Sequence, residues 1–329
     1  MSLKNCLLGR YTAAELRDKA RRIGLSGEEN SIACAQKLAE SMLKIDNFRN
    51  VLLLLHDDEI RFMDQACAKE EGFRPAESQY GAADALFRLD YGFIVSGSRE
   101  FVIPADVRLA YQHIRTDEFE KKRKKMSWLA DCVRMIPLIY LTLEEKDLYR
   151  MYRKRKNFEE SDSELKTLLD EYLKMSDCPC VRKGDILISK VLEEKDITGK
   201  ILKIQEKMPA NLVPYSEVRQ ITEHGYPYTE KEWKLLKKFF VRKCGCTADY
   251  ADMACGVVWM ELAAGADPEM IGEDLAASEI TVPESERKNL ENMISLIRLN
   301  VRMSYYRGMP LYQAAGEYPV PLSEEEIGK

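Results

Sequence analysis

Histidine is almost missing from this chain of 329 residues: only His56, His113 and His224 occur, and no two stand at a metal-ligand spacing. No Gly-x-x-x-x-Gly-Lys-Ser/Thr loop, Gly-x-Gly-x-x-Gly turn or Gly-x-Ser-x-Gly elbow is present, so nucleotide chemistry and serine-elbow hydrolysis have no motif to rest on. No apolar run approaches the roughly 20 residues that a membrane helix needs. The longest cluster, residues 51–55, reads as part of a core helix. Met1-Ser2-Leu3-Lys4-Asn5 lacks the apolar core of a signal peptide, and Met1-Ser2-Leu3 reads as an added stub. An excess of positive charge is also lacking. Lys and Arg total 50 against 55 Asp and Glu, a formal charge of −5, so any contact with nucleic acid must be local.

What is present is a soluble, globular composition. The chain is 45% hydrophobic, enough for more than one core. Its nine cysteines, including Cys178-Pro-Cys180 and Cys244-Gly-Cys246, read as reduced thiols of a cytoplasmic protein. Zinc is disfavoured at both pairs, because structural sites generally space paired cysteines two to four residues apart. Helical spacing dominates. Thr12 and Glu15 form a capping box for a helix over 13–23, Gly24 stops it in the turn Gly24-Leu25-Ser26-Gly27, and Asn30-Ser31 caps a second helix bearing Ile32, Ala35, Leu38, Ala39 and Met42. The run Ala14-Glu15-Leu16-Arg17-Asp18-Lys19-Ala20-Arg21-Arg22-Ile23-Gly24-Leu25 resembles the helix pair of the transcription terminator Rho N-terminal domain and of SAP-like modules. That resemblance implies nucleic-acid binding; the residues by themselves are equally a packing cap.

Next, Leu52 and Leu55, then Ile60, Met63 and Cys67, then Ala82, Ala85, Leu86 and Leu89 recur at intervals of three or four. Two short runs, 93–95 and 101–103, flank Ser96-Gly97-Ser98-Arg99 and predict an antiparallel hairpin. This order, with Ala85-Leu86-Phe87-Arg88-Leu89-Asp90-Tyr91-Gly92-Phe93-Ile94-Val95 before Phe101-Val102-Ile103-Pro104-Ala105-Asp106-Val107, resembles winged helices found beside helicases and in transcription-related proteins. Arg88 and Arg99 are its candidate phosphate contacts, a sparse set that leaves protein–protein packing open.

The densest cationic run is Lys121-Lys122-Arg123-Lys124-Lys125. Such blocks are commonly solvated helix faces, yet beside a groove these five would meet several phosphates. Beyond it, spacing predicts a buried helix over 128–140 interrupted at Pro137, a helix over 143–153 capped by Thr142, and one over 163–175. The apolar run 185–189 reads as strand or helix start. Helices are expected over 216–223, 229–243, 247–264, 267–275 and 284–305. Tyr215, Tyr226, Tyr228 and Trp233 around Pro214 and Pro227 read as junction packing, with base stacking the alternative.

Leu299-Asn300-Val301-Arg302-Met303-Ser304-Tyr305-Tyr306-Arg307-Gly308-Met309-Pro310 and the ending Pro321-Leu322-Ser323-Glu324-Glu325-Glu326-Ile327-Gly328-Lys329 resemble the segment that leads into the SEC-C zinc motif of many bacterial proteins. The resemblance implies an accessory or adaptor role and a zinc-binding tail beyond Lys329, with no zinc ligand among the residues present. The expected architecture is mainly α: a helix pair over 1–45, a winged helix with a small β wing over 46–118, and a mostly helical domain over 119–329. The expected function is non-catalytic regulation through bound protein or nucleic acid, without cofactor. Lys121, Lys122, Arg123, Lys124, Lys125, Arg88 and Arg99 are the candidate contacts. The alternative is a hydrolase whose site is assembled from scattered residues of the C-terminal domain.

Overall fold

In the computed structural model the chain is mainly helical, and the residues described are 1–25, 30–69, 71–95, 97–314 and 318. Ser26 and Gly27 of the expected interhelical turn, Ser96 of the hairpin turn and the segment 321–329 lie outside them. Two units divide the chain, Met1–Ser127 and Trp128–Lys329. The expected boundaries at 45 and 118 thus give way to one at 127.

The first unit contains α1 (Leu3–Arg10), α2 (Ala13–Arg22), α3 (Ser31–Met42), α4 (Ile45–Leu54), α5 (Asp57–Cys67), α6 (Tyr80–Arg88), β1 (Phe93–Ile94), β2 (Phe101–Val102), α7 (Ala105–Ile114) and the start of α8 (Asp117–Met135). Met1-Ser2-Leu3 is no stub. The Ser2 side chain caps α1, Leu3 is fully buried, and the Leu3 N–H donates to the Asp106 carboxylate at 2.9 Å. The capping box of Thr12 and Glu15 starts α2, and Asn30 accepts from the Ala33 N–H to start α3. The helix pair is not a separate domain, because Asp90 fastens α1 and α2 to the end of α6. This buried carboxylate accepts from Arg10 at 2.8 Å, Lys19 at 2.7 Å and the Tyr11 hydroxyl at 2.6 Å.

The hairpin forms as its residues predict: Phe93 pairs with Val102 and Ile94 with Phe101. Phe73 adds a bridge on the other side of Phe101. The ring of Phe101 is 2% exposed and packs edge-on to Phe62 at 5.0 Å. Gly92 is required beside it, since a Cβ there would lie 2.0 Å from the Phe101 ring.

The second unit begins in a π-helical turn over Ile136–Tyr140 that continues α8. Pro137 has no N–H to give Val133, and the ladder widens so that the Leu141 N–H bonds the Ile136 carbonyl at 2.7 Å. Leu141 is held at φ +60°. Then come β3 (Thr142–Glu144), α9 (Glu145–Tyr152), α10 (Asp162–Tyr172), β4 (Cys180–Lys183) and β5 (Ile186–Ser189). The three strands form an antiparallel sheet in the order β3-β5-β4. Thr142 is therefore a strand residue rather than a helix cap; its hydroxyl donates to the Gln205 side chain at 2.6 Å. The ambiguous run ending at Ser189 is a strand because Gly184, at φ +60°, supplies the turn that returns β5 onto β4.

Helices α11 (Lys190–Glu194), α12 (Thr198–Gln205), α13 (Tyr215–His224), α14 (Lys231–Lys243), α15 (Ala248–Ala264), α16 (Ile271–Ala277) and α17 (Arg287–Arg298) come next. The chain then forms β6 (Arg302–Met303), β7 (Met309–Pro310) and α18 (Leu311–Ala314). The helix expected over 284–305 ends early, since Arg302 and Met303 pair with Pro310 and Met309. Gln205, buried, ties this turn to the π-helix by donating to the carbonyls of Tyr140 at 2.9 Å and Ser304 at 3.0 Å.

Candidate nucleic-acid interface

A run of five cations cannot lie on one side of an α-helix, because successive side chains turn by about 100°. In α8 the consequence falls on Arg123. Its side chain is 1% exposed, and its guanidinium donates to the Glu120 carboxylate at 2.7 and 2.9 Å, to the Leu55 carbonyl at 2.5 Å and to Asp57. Arg123 is thus a structural tie of α8 to the α4–α5 junction, and the expectation that it contacts phosphate is corrected by its burial. Lys124 lies 3.6 Å from Glu120, whereas Lys122 and Lys125 are half-buried. Lys121 is exposed. Arg88 pairs with Asp84 one turn before it at 2.7 Å. Arg99 stands exposed in the hairpin turn at φ +59°. Glu120 gathers Arg123, Lys124 and Arg115, and nothing among the described residues gathers Arg88 and Arg99 with them. The Arg123 hydrogen bond, aided by the neighbouring cations, holds the Glu120 carboxyl below its ordinary range.

The cationic surface that does form lies on α14, whose sequence Lys231-Glu232-Trp233-Lys234-Leu235-Leu236-Lys237-Lys238-Phe239-Phe240-Val241-Arg242-Lys243 carries six cations and one carboxylate. Trp233, Leu236, Phe239 and Phe240 are buried. The opposite face presents Lys231, Lys234, Lys238 and Arg242, all exposed, within an arc of about 80°. None of the four has an ionic partner among the described residues. The remaining two are engaged, Lys237 with Asp252 at 2.6 Å and Lys243 with Glu286 at 3.0 Å. Eleven residues of helix rise separate the first and last of the four, about 16 Å. The signal for this face was in the sequence as spacings of three, four and four, which keep a helical side clear of other groups.

Groups suited to chemistry do not converge in the same way. Glu217, Glu230, Glu232 and Arg302 line a polar pocket in which Arg302 pairs with Glu217 at 2.8 Å. Desolvation, with Glu217 and Glu232 nearby, pushes the Glu230 carboxyl up. The pocket holds only about 20 Å³, room for about one water and not for a substrate. Cys178 and Cys180 are buried thiols pushed up by burial, and the Cys178 thiol donates to the Cys180 carbonyl at 3.6 Å. Burial likewise pushes the Cys244 thiol up, to about 11. No group of three or more His, Cys, Asp or Glu among the described residues is placed to hold a metal ion. The aromatic group divides into packing pairs: Trp128 and Tyr215 are edge-on at 5.1 Å, Tyr226 and Trp233 are tilted at 5.5 Å, and the Tyr226 hydroxyl donates to Asp252 at 2.5 Å. No described helix is long and apolar enough to cross a membrane. Compared with known proteins, the chain matches no family model, no curated protein and no solved structure.

Proposed function

We propose that this is a non-catalytic binding protein that grips a nucleic-acid backbone through the exposed face of α14, in an adaptor or regulatory role. The observation that carries the reading is the unpaired set Lys231, Lys234, Lys238 and Arg242 on one side of a helix anchored by Trp233 and Phe240. In a chain of net charge −5, four cations without internal carboxylate partners favour a polyanion, whose condensed counterions they release on binding. Contacts to phosphate carry no base information, so the reading is one of sequence-independent affinity. Within the winged-helix reading of the first unit, Arg88 is neutralised by Asp84 and Arg99 stands as a single turn cation, which favours a packing role for that element. Leu235 and Val241, 48% and 39% exposed, flank the α14 cations. They favour an acidic protein surface as the second reading. The hydrolase alternative gains nothing from a polar pocket of about 20 Å³.

The test is fluorescence anisotropy of labelled duplex and single-stranded DNA and RNA between 50 and 200 mM salt. Four phosphate contacts predict a log–log salt slope of about −3.6 on duplex, an affinity loss of about 150-fold over that range. Changing all four cations to Gln at these exposed positions should remove the binding and leave the circular dichroism unchanged. Binding that survives the fourfold change, or no binding by the unaltered chain at 50 mM salt, rejects the proposal.

A further inference from the structure

The largest apolar recess within the second unit has no part in that reading. It encloses about 420 Å³, the size range of small-molecule sites, and its walls come from the π-helical turn, the start of α11 and the end of α15. Pro137 and Leu138 supply the π-helical wall, and Leu141 closes it. Leu141 sits at φ +60°, strained for a branched side chain, between its N–H bond to Ile136 at 2.7 Å and its carbonyl's acceptance from Ser189 at 3.0 Å. Backbone strain over-determined in this way concentrates at ligand sites, as do π-helical turns. Trp259 forms another wall; it is 2% exposed, yet its indole N–H has no hydrogen-bond partner among the described residues. Val191 and Met260 are left 49% and 47% exposed at the same recess. Lys195 is its one charged lining residue, exposed and with no ionic partner among the described residues.

We infer that this recess binds an amphipathic monoanion of the fatty-carboxylate class, its hydrocarbon chain against Leu141, Trp259 and Met260 and its carboxylate at Lys195. The apolar walls exclude a polar metabolite of the same size, since its buried groups would lose water without replacement. The single cation selects an anionic head over a neutral one.

Calorimetric titration of the full chain with decanoate tests this. One saturable site is expected, with affinity falling by a factor of about four for each methylene removed, as octanoate against decanoate would show. Decanol should bind about tenfold more weakly than decanoate, and Lys195→Gln should lose that preference. Ala264→Phe and Val191→Phe, both at exposed lining positions, should fill the recess and abolish binding with the fold intact by circular dichroism. Absence of decanoate binding, equal affinity for decanol, or binding unaffected by both filling variants overturns the assignment. None of these outcomes depends on α14, whose four cations are probed separately.

Discussion

Replacing Arg123 by methionine separates a buried tie from a surface cation in the same five-residue run. The arginine side chain is 1% exposed and donates to three partners: the Leu55 carbonyl, Asp57 and Glu120. Methionine keeps most of the apolar stem but leaves Glu120, 23% exposed, and the Leu55 carbonyl without their donors. Breaking a buried ion pair from one side costs about 3–5 kcal/mol. Asp57 is 54% exposed and rehydrates readily, which places the expected loss near the lower end, about 3 kcal/mol, or roughly 150-fold in the folding equilibrium. Lys121→Met, at an exposed position two residues away, should stay within about 0.5 kcal/mol. Urea unfolding gives the difference, and hydrogen exchange at α5 and the start of α8 locates it, which matters in a chain of two units that need not unfold together. A loss below about 1 kcal/mol for Arg123→Met, or equal losses for the two variants, would refute the structural role. A five-alanine change across 121–125 is accordingly a poor test of nucleic-acid binding, because its Arg123 member perturbs folding first.

That contrast also marks how far the sequence can be read. Contiguity drew attention to 121–125, although the geometry of a helix sends a contiguous run around its whole circumference. The α14 cations were legible by the same periodicity that located the helix cores, had charge been read by face rather than by density. Caps and turns were readable because their chemistry is local: Thr12 with Glu15, Asn30 before α3, and the hairpin pairing Phe93 with Val102. Thr142 was not, because the same hydroxyl that can cap a helix here bonds Gln205, 63 residues later. The recess beside Leu141 depends on partners equally distant, such as Trp259 and Val191. Nothing in residues 136–141 alone distinguishes a proline-interrupted helix from a π-helical turn. The separation into 1–45 and 46–118 failed for a similar reason, as the carboxylate of Asp90 draws in Arg10, Tyr11 and Lys19 from across that division.

Asp90→Asn keeps a residue type that tolerates φ +62° but removes the negative charge from between Arg10 and Lys19. It should cost about 2 kcal/mol, discounted because Lys19 is 34% exposed; amides of α1 and α2 that exchange no faster in the variant would contradict the tie. Gly92→Ala places a methyl 2.0 Å from the ring of Phe101, which is only 2% exposed and has little room to retreat. A loss of about 1–3 kcal/mol is expected, and an unchanged denaturation midpoint would count against the packing. Acid should weaken the first unit through Glu120, whose carboxyl is held below the ordinary 4.5 chiefly by the Arg123 hydrogen bond. For a carboxyl depressed in the folded state, the unfolded chain takes up the proton first as pH falls. The stabilising contribution is therefore complete above about 4.5 and disappears as pH drops through the lower folded-state value. Glu120→Gln should be less stable than the unaltered chain at pH 7, and the gap should narrow below pH 4.5 as both become uncharged at this position. Urea midpoints at pH 7, 5, 4 and 3 measure it, and a gap that stays constant across that range would show that the charge on Glu120 is not what secures Arg123.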